Sequence, residues 1–223
     1  MPAPIPLISA APAVTTDLDV TLVLGDLWPL LNASSESDAV FWTEAELYQW
    51  ADEATQELAR LVGIFVERDT TISTANGARS YTLPTRHISS IHVALGNKPL
   101  EPASIPELEA RDDTWKTGAS AAANADVKRW YGDGDGVEKI GLYKVPSAIA
   151  TLAVIHHQFL ATIDSGNPTL SAPSPLRDYL LWAVLAEARR KESDSTMPEV
   201  AAHADERVKL LRTVFQAYWG VSQ

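Results

Sequence analysis

The chain has no cysteine and only two methionines in 223 residues. Without thiols there is no disulfide scaffold, no thiolate nucleophile and no sulfur-based zinc site, and the composition suits a reducing compartment. No apolar run approaches the roughly 20 residues that a membrane-crossing helix needs, so no membrane partner is expected. Positive charge is missing from the first 59 residues: Arg60 is the first lysine or arginine. Ten carboxylates precede it, at Asp17, Asp19, Asp26, Glu36, Asp38, Glu44, Glu46, Asp52, Glu53 and Glu57. The rest of the chain sets 19 acidic against 18 basic side chains, so nearly all of the net charge of -11 lies in the N-terminal stretch. A surface of that sign repels a phosphate backbone and argues against gripping nucleic acid through counterion release. It is either a solvated face or one that serves a basic partner or an acidic channel.

Enzymatic signatures are also missing. There is no Gly-x-Ser-x-Gly elbow and no phosphate-cradling Gly-x-x-x-x-Gly-Lys-Ser/Thr loop. Gly132-Asp133-Gly134-Asp135-Gly136 superficially matches a dinucleotide loop, but strand-like residues follow it where a helix is required, so it reads as a hairpin turn. Neighbouring His156 and His157 point to opposite faces of an extended strand and cannot converge on one ion. Glu199, His203 and Glu206 share a helix face, but a carboxylate-bridged metal site needs the same pattern on a second helix. No catalytic residue, cofactor or metal is therefore expected, and no repeat at a fixed period is visible.

What is present, at 46% hydrophobic and 21% charged residues, is globular composition for one large domain or two small ones. Residues 1–16 lack the basic start of a secretory signal, and Pro2, Pro4, Pro6 and Pro12 prevent a continuous helix. They read as an extended arm whose Ile5, Leu7, Ile8 and Val14 dock on a neighbouring subunit or a partner. A short helix over Leu22–Leu31 is followed by a clearer one. Thr43 with Glu46 forms a capping box, and Leu47, Trp50, Ala51, Ala54, Leu58, Leu61 and Val62 recur at helical spacing until Gly63. Glu53 and Glu57 stand one turn apart on its polar face, a repulsion that a partner cation relieves.

From Ile64 the texture turns to β-branched runs. Asn76-Gly77 between two extended segments predicts a hairpin, and a second turns at Gly96-Asn97. Ser104 with Glu107 caps a helical turn, and residues 116–126 read as a small-residue loop. Three strands follow, the last of them the apolar run Ile149–Phe159, placed inside a sheet. Ser174-Pro175 opens a helix ending on Arg189, Arg190 and Lys191, where the macrodipole favours cations. Its apolar residues occupy two faces, so one is expected to meet the core and the other a different chain. Pro198 opens a last amphipathic helix through Val200, Ala204, Val208, Leu211, Phe215 and Tyr218. The expected class is α+β: a helical bundle with an inserted antiparallel β region. Its parts are an arm over 1–20, a bundle from 21–63 and 172–223, and a β-rich insertion over 64–171. Subunit contacts are expected at Ile5, Leu7, Ile8, Leu181, Trp182, Leu185, Phe215, Tyr218 and Trp219, since aromatic residues of this kind anchor interfaces as well as cores.

In the order of its elements the chain resembles bacteriophage head-to-tail adaptor proteins, the neck components beneath the portal. The resemblance runs from Leu30-Leu31-Asn32 through Trp42-Thr43-Glu44-Ala45-Glu46-Leu47, Leu83-Pro84, Lys98-Pro99-Leu100 and Trp115. It continues at Leu142-Tyr143-Lys144-Val145-Pro146-Ser147 and closes on the paired C-terminal helices with Phe215 and Tyr218, covering residues 20–219. Ala51-Asp52-Glu53-Ala54 departs from the Leu-Asn-Glu-Ala of other members, and the arm and the 116–126 loop are particular to this chain. The resemblance implies a closed, dodecameric homo-oligomeric ring in the virion neck, assembled in the host cytoplasm. Its partners would be the portal protein above and a tail or further neck protein below. DNA would pass without specific binding, and Glu44, Glu53 and Glu57 would supply a charged surface facing the channel. The competing readings are a tail-completion, tail-tube or baseplate structural protein and an unrecognised hydrolase.

Overall fold

The computed structural model describes residues 15–31, 41–117, 123–124, 126–132, 138–191 and 198–219. In chain order its first elements are β1 (Thr15–Asp19), α1 (Val20–Leu30), α2 (Glu44–Val62), β2 (Val66–Ser73), β3 (Ser80–Thr82), β4 (His87–Leu95), β5 (Lys98–Pro102) and α3 (Ile105–Arg111). They are followed by β6 (Ala123–Asn124), β7 (Arg129–Gly132), β8 (Lys139–Tyr143), β9 (Val145–Pro146), β10 (Thr151–Gln158), β11 (Thr169–Pro173), α4 (Leu176–Lys191) and α5 (Pro198–Trp219). The chain divides into two compact units, Met1–Leu58 with Ala161–Gln223, and Ala59–Leu160.

The Ala59–Leu160 unit is built on one seven-stranded sheet in the order β2-β10-β4-β5-β7-β8-β3. Its edges, β2 and β3, are consecutive in the chain and joined by residues 74–79 alone. Laid flat, seven strands would separate those edges by about 29 Å, while the connection spans at most about 25 Å, so the sheet must curl. It is nearly closed and barrel-like. Asn76-Gly77 does make a turn, with the Ala78 N–H donating to the Ala75 carbonyl at 3.1 Å, but not the predicted hairpin. Among the described residues β2 pairs with β10 and β3 with β8, and the turn is fastened to the 146–150 segment by Gly77 N–H to Pro146 (3.0 Å) and Thr74 N–H to Ala150 (2.8 Å). Turn chemistry specifies a reversal; the strand that buries the flanking side chains chooses the partner.

The expected class, a helical bundle with an inserted antiparallel β region, is thereby corrected. Among the described residues five helices accompany a β-rich, barrel-like, mixed sheet, and strands make up 31%. The sheet is mixed because β5 and β7 run parallel, Glu101 opposite Arg129, after a crossover that contains α3. Parallel neighbours need a long connection, and a reading in hairpins cannot see one. Other local signals hold. β4 and β5 form the hairpin about Gly96-Asn97, Leu95 opposite Lys98. Ser104 Oγ accepts the Glu107 N–H at 3.3 Å to cap α3. β10 lies between β2 and β4, and β7 pairs antiparallel with β8, the intervening 133–137 lying outside the described residues. In the 116–126 stretch, Ala123-Asn124 forms a short parallel pair with Val145-Pro146.

Two apolar clusters fill this unit. Tyr81, Leu83, Val93, Leu100, Val127, Ile140, Leu142, Leu152 and Val154 form the larger. Leu108, Trp115 and Tyr131 form the smaller, with Trp115 edge-on to Tyr131 at a ring-centroid distance of 5.1 Å.

In the other unit β1 and β11 pair antiparallel, Thr15 opposite Pro173 and Asp19 opposite Thr169. Asp19 then caps α1, its carboxylate accepting the Thr21 N–H at 2.9 Å. The predicted capping box of α2 is present: the Thr43 N–H donates to Glu46 at 3.0 Å, and the Glu46 N–H to Thr43 Oγ1 at 3.3 Å. α4 differs from expectation. Leu176, Tyr179, Leu180, Ala183, Val184, Leu185, Ala186 and Ala188 are all buried within the chain, so Leu185 and Ala188 of its second apolar face belong to the core, while Leu181 of that face is half-buried. Even Arg189 is buried, at 5% exposure: its guanidinium donates to the Leu30 carbonyl (2.7 Å) at the end of α1 and lies over the Trp42 ring. The Trp42 indole N–H in turn donates to the Ala188 carbonyl at 2.9 Å.

Candidate interaction surfaces

The surface of the helical unit follows from how α5 rolls onto α4. Ala204, Val208 and Phe215 are buried, and the Phe215 ring meets Tyr179 edge-on at 5.9 Å. About a quarter turn away, Leu210, Val214 and Tyr218 repeat every four residues and are 55%, 40% and 79% exposed. Spacing of four keeps them on one line of the helix, an exposed apolar stripe. Trp182 on α4 stands edge-on to His203 at 5.6 Å and beneath the Arg207 guanidinium, closing one end of that line. On α1, Leu22 and Leu30 are likewise 65% and 42% exposed.

Of the expected contact residues, then, Tyr218 is exposed, Leu181 and Trp182 are half-buried, and Leu185 and Phe215 are interior to the chain and offer no surface. Ile5, Leu7, Ile8 and the Trp219 side chain lie outside the described residues. Leu210, Val214, Leu22 and Leu30 are exposed but are not among the expected contact residues. Their signal was available, since 210, 214 and 218 form a helical line; grouping Tyr218 with the buried Phe215 hid it.

The three acidic candidates sit on α2 but do not form one surface. Glu44 opens on a cleft of about 480 Å³ that also takes in Tyr48, Asp52, Ile163 and Asp164. Glu53 and Glu57 border a smaller cleft, of about 130 Å³, between α2, α4 and α5. The cation that relieves their repulsion belongs to the same chain: Arg212 ion-pairs with Glu57 and donates through Nε to the Tyr179 hydroxyl at 3.2 Å. Burial pushes that phenol's pKa up. Gln49 Nε2 donates to Glu53 at 2.8 Å, and Arg190 pairs with both Glu187 and Asp205. Lys191, by hydrogen bond, lowers the pKa of Glu46.

In the sheet unit His156 and His157 do face opposite ways, His156 toward His87 at a ring-centroid distance of 5.1 Å and His157 against Gly63. Gly63 takes φ +65°, and a Cβ there would lie 2.6 Å from His157 Nδ1. Among the described residues no group of three or more histidine, aspartate and glutamate side chains is placed to hold a metal ion. What the helical unit presents is exposed apolar side chains on α1 and α5 and internally paired charges.

No curated protein matches the chain. A family model described as SU10 adaptor protein matches residues 16–219, nearly the whole of it. The chain belongs to the SU10 adaptor protein family, a family of phage head-to-tail adaptors, and is by that membership a structural component of the virion.

Proposed function

We propose that copies of this chain close into a dodecameric ring in the virion neck, seated below the portal and carrying the tail or a further neck protein, and that the ring assembles in the host cytoplasm. Family membership sets the class. The observation that carries the assembly is the apolar surface exposed among the described residues on α1 and α5, at Leu22, Leu30, Leu210 and Val214. Monomers rarely expose aligned apolar side chains, and copies related by a closing rotation bury such surface around the ring. DNA passes through without specific contact, helped by the net charge of -11.

The test is negative-stain imaging of the purified chain with and without portal. The expected result is a symmetric ring formed on, or joined to, the portal; binding to tail tube instead would favour a tail-completion protein. Leu22→Asp combined with Leu30→Asp is expected to abolish ring formation while circular dichroism stays unchanged, because both side chains are open to solvent in the single chain. Rings of normal yield from that variant would remove α1 from the interface.

Glu44, Glu53 and Glu57 are the channel-facing candidates, and Glu57 also ion-pairs with Arg212. Glu44→Gln with Glu53→Gln should leave the ring intact and change how long packaged DNA is retained. Unchanged retention in assembled particles would place the channel wall elsewhere.

A further inference from the structure

Each of the two exposed apolar lines of the helical unit has a shape that the other fits. On α1 the residues Val20, Val23, Leu24 and Leu27 are buried, and Leu22, Gly25, Asp26, Pro29 and Leu30 form the outward face. Gly25 sits in the middle of that face. A glycine inside a helix weakens it relative to alanine and calls for a reason. The single chain gives none: Gly25 is not among the glycines at positive φ, and among the described residues nothing lies within 4 Å of where its Cβ would be. The missing side chain leaves a shallow notch between Leu22 and Leu30, which are about 12 Å apart along the helix. On α5, Leu210 and Val214 make an exposed ridge only about 6 Å long. A ridge of that length fits between the two leucines, and the bare backbone at Gly25 lets the helices approach closely.

The two faces do not meet within one chain. α1 and α5 each pack on α4, with little contact between themselves: Arg177 on α4 pairs with Asp26 of α1, and Tyr179 on α4 meets Phe215 of α5. Notch facing notch would leave both unfilled, whereas notch facing ridge fills one with the other. Contact between two different patches is also what a ring of more than two identical copies needs. Charge runs the same way. Asp17 and Asp19 precede the notch and Asp26 borders it, with no lysine or arginine before Arg60, while beside the ridge Arg207 and the exposed Lys209 outnumber Glu206. Faces of opposite sign steer and register such a contact.

We propose that the Gly25 notch of α1 receives the Leu210–Val214 ridge of α5 from a second copy of the chain, so that copies join head to tail. This contact deepens the ring reading above, on which it rests: α1 of each copy seats α5 of the next. Gly25 is glycine because a side chain there would hold the two helices apart.

The absence of cysteine makes the test direct: full-length chains carrying one introduced cysteine are cross-linked with a short bismaleimide in the presence of portal. Leu22→Cys and Leu30→Cys mark the two ends of the notch and Leu210→Cys marks the ridge, so whichever way the helices run, one end comes within reach of position 210. A Leu22→Cys or Leu30→Cys chain mixed with a Leu210→Cys chain is expected to give covalent dimers at about ten-fold the yield of any of the three alone, because docking raises the effective concentration of unlike thiols only. Dimers of equal yield from a single variant would overturn the proposal in favour of like-on-like contact. No dimers from either mixture would overturn it in favour of another occupant of the notch. Gly25→Ala should raise the melting temperature of the free chain, since alanine favours helix and its Cβ meets nothing there, yet lower the mixed cross-linking yield several-fold. An unchanged yield from that variant would mean that the helices do not approach closely at Gly25, against the proposal. Mixed dimers without a closed ring on portal keep the contact and lose the ring; closed rings without mixed dimers keep the ring and lose the contact.

Discussion

Gly141→Ala is expected to cost about 3 kcal/mol or more and to leave much of the sheet unit unfolded at 37 °C. Gly141 on β8 stands directly opposite Tyr131 on β7, so the tyrosine ring lies across the glycine on the same face of the sheet. A Cβ at this position would lie 2.0 Å from Tyr131 Cζ and 2.3 Å from Cε2. The ring has no slack: Tyr131 is 1% exposed and held edge-on by Trp115. Relief would require separating β7 from β8 or expelling the ring from the small cluster with Leu108 and Trp115. Urea unfolding of the variant measures the loss. Tyr131→Leu should itself destabilise, yet adding Gly141→Ala to it should cost much less than in the parent, because the clash has gone. A Gly141→Ala chain within roughly 0.5 kcal/mol of the parent would mean that the strands yield easily, against this account.

Acidification is expected to weaken the same unit by about 2 kcal/mol between neutral pH and pH 4. Burial, and then the nearby His156 and His157 rings, lower the pKa of His87 to about 4. In the unfolded chain a histidine titrates near 6.5, so as pH falls the unfolded state takes up its proton first and gains stability relative to the fold. The loss begins near 6.5, continues down to about 4 and then levels. The figure is set below the full linkage value because His87 is only half-buried and solvent screens part of the effect. His87 Nε2 lies 2.9 Å from Ser90 Oγ, while His156 Nε2 and His157 Nδ1 are buried without a hydrogen-bond partner among the described residues. The surrounding charges are Arg86 next in sequence, Glu67 opposite His156 on β2, and Glu138 and Lys139 on the cleft that His87 lines. The urea midpoint followed at several pH values gives the profile. His87→Gln should flatten it, and an equally steep profile in that variant would move the effect to another group.

Much of the local structure was legible because its causes are local. The Thr43–Glu46 box, the Ser104 cap, the Gly96-Asn97 hairpin and the proline that opens α5 each rest on bonds or dihedrals within four residues, and each is where the pattern put it. Where one signal was compatible with several partners, reading failed. Asn76-Gly77 reverses the chain, yet β2 and β3 end on opposite edges of the sheet. The apolar character of α4 was plain, but whether its second face met a neighbouring chain or its own depended on how much of the fold wraps it. The same holds for Glu57, whose cation lies 155 residues away at Arg212.

The sequence by itself determined which segments are helical, where several of them start, that the middle of the chain is extended, and that its order of motifs is that of a phage adaptor. Only the tertiary structure decided the curl of the seven-stranded sheet and its parallel β5–β7 contact, the interior place of Leu185 and Phe215, and the exposed line of Leu210, Val214 and Tyr218. Periodicity and capping are properties of a few consecutive residues, whereas pairing partners and exposure come from competition among distant segments for the same buried surface.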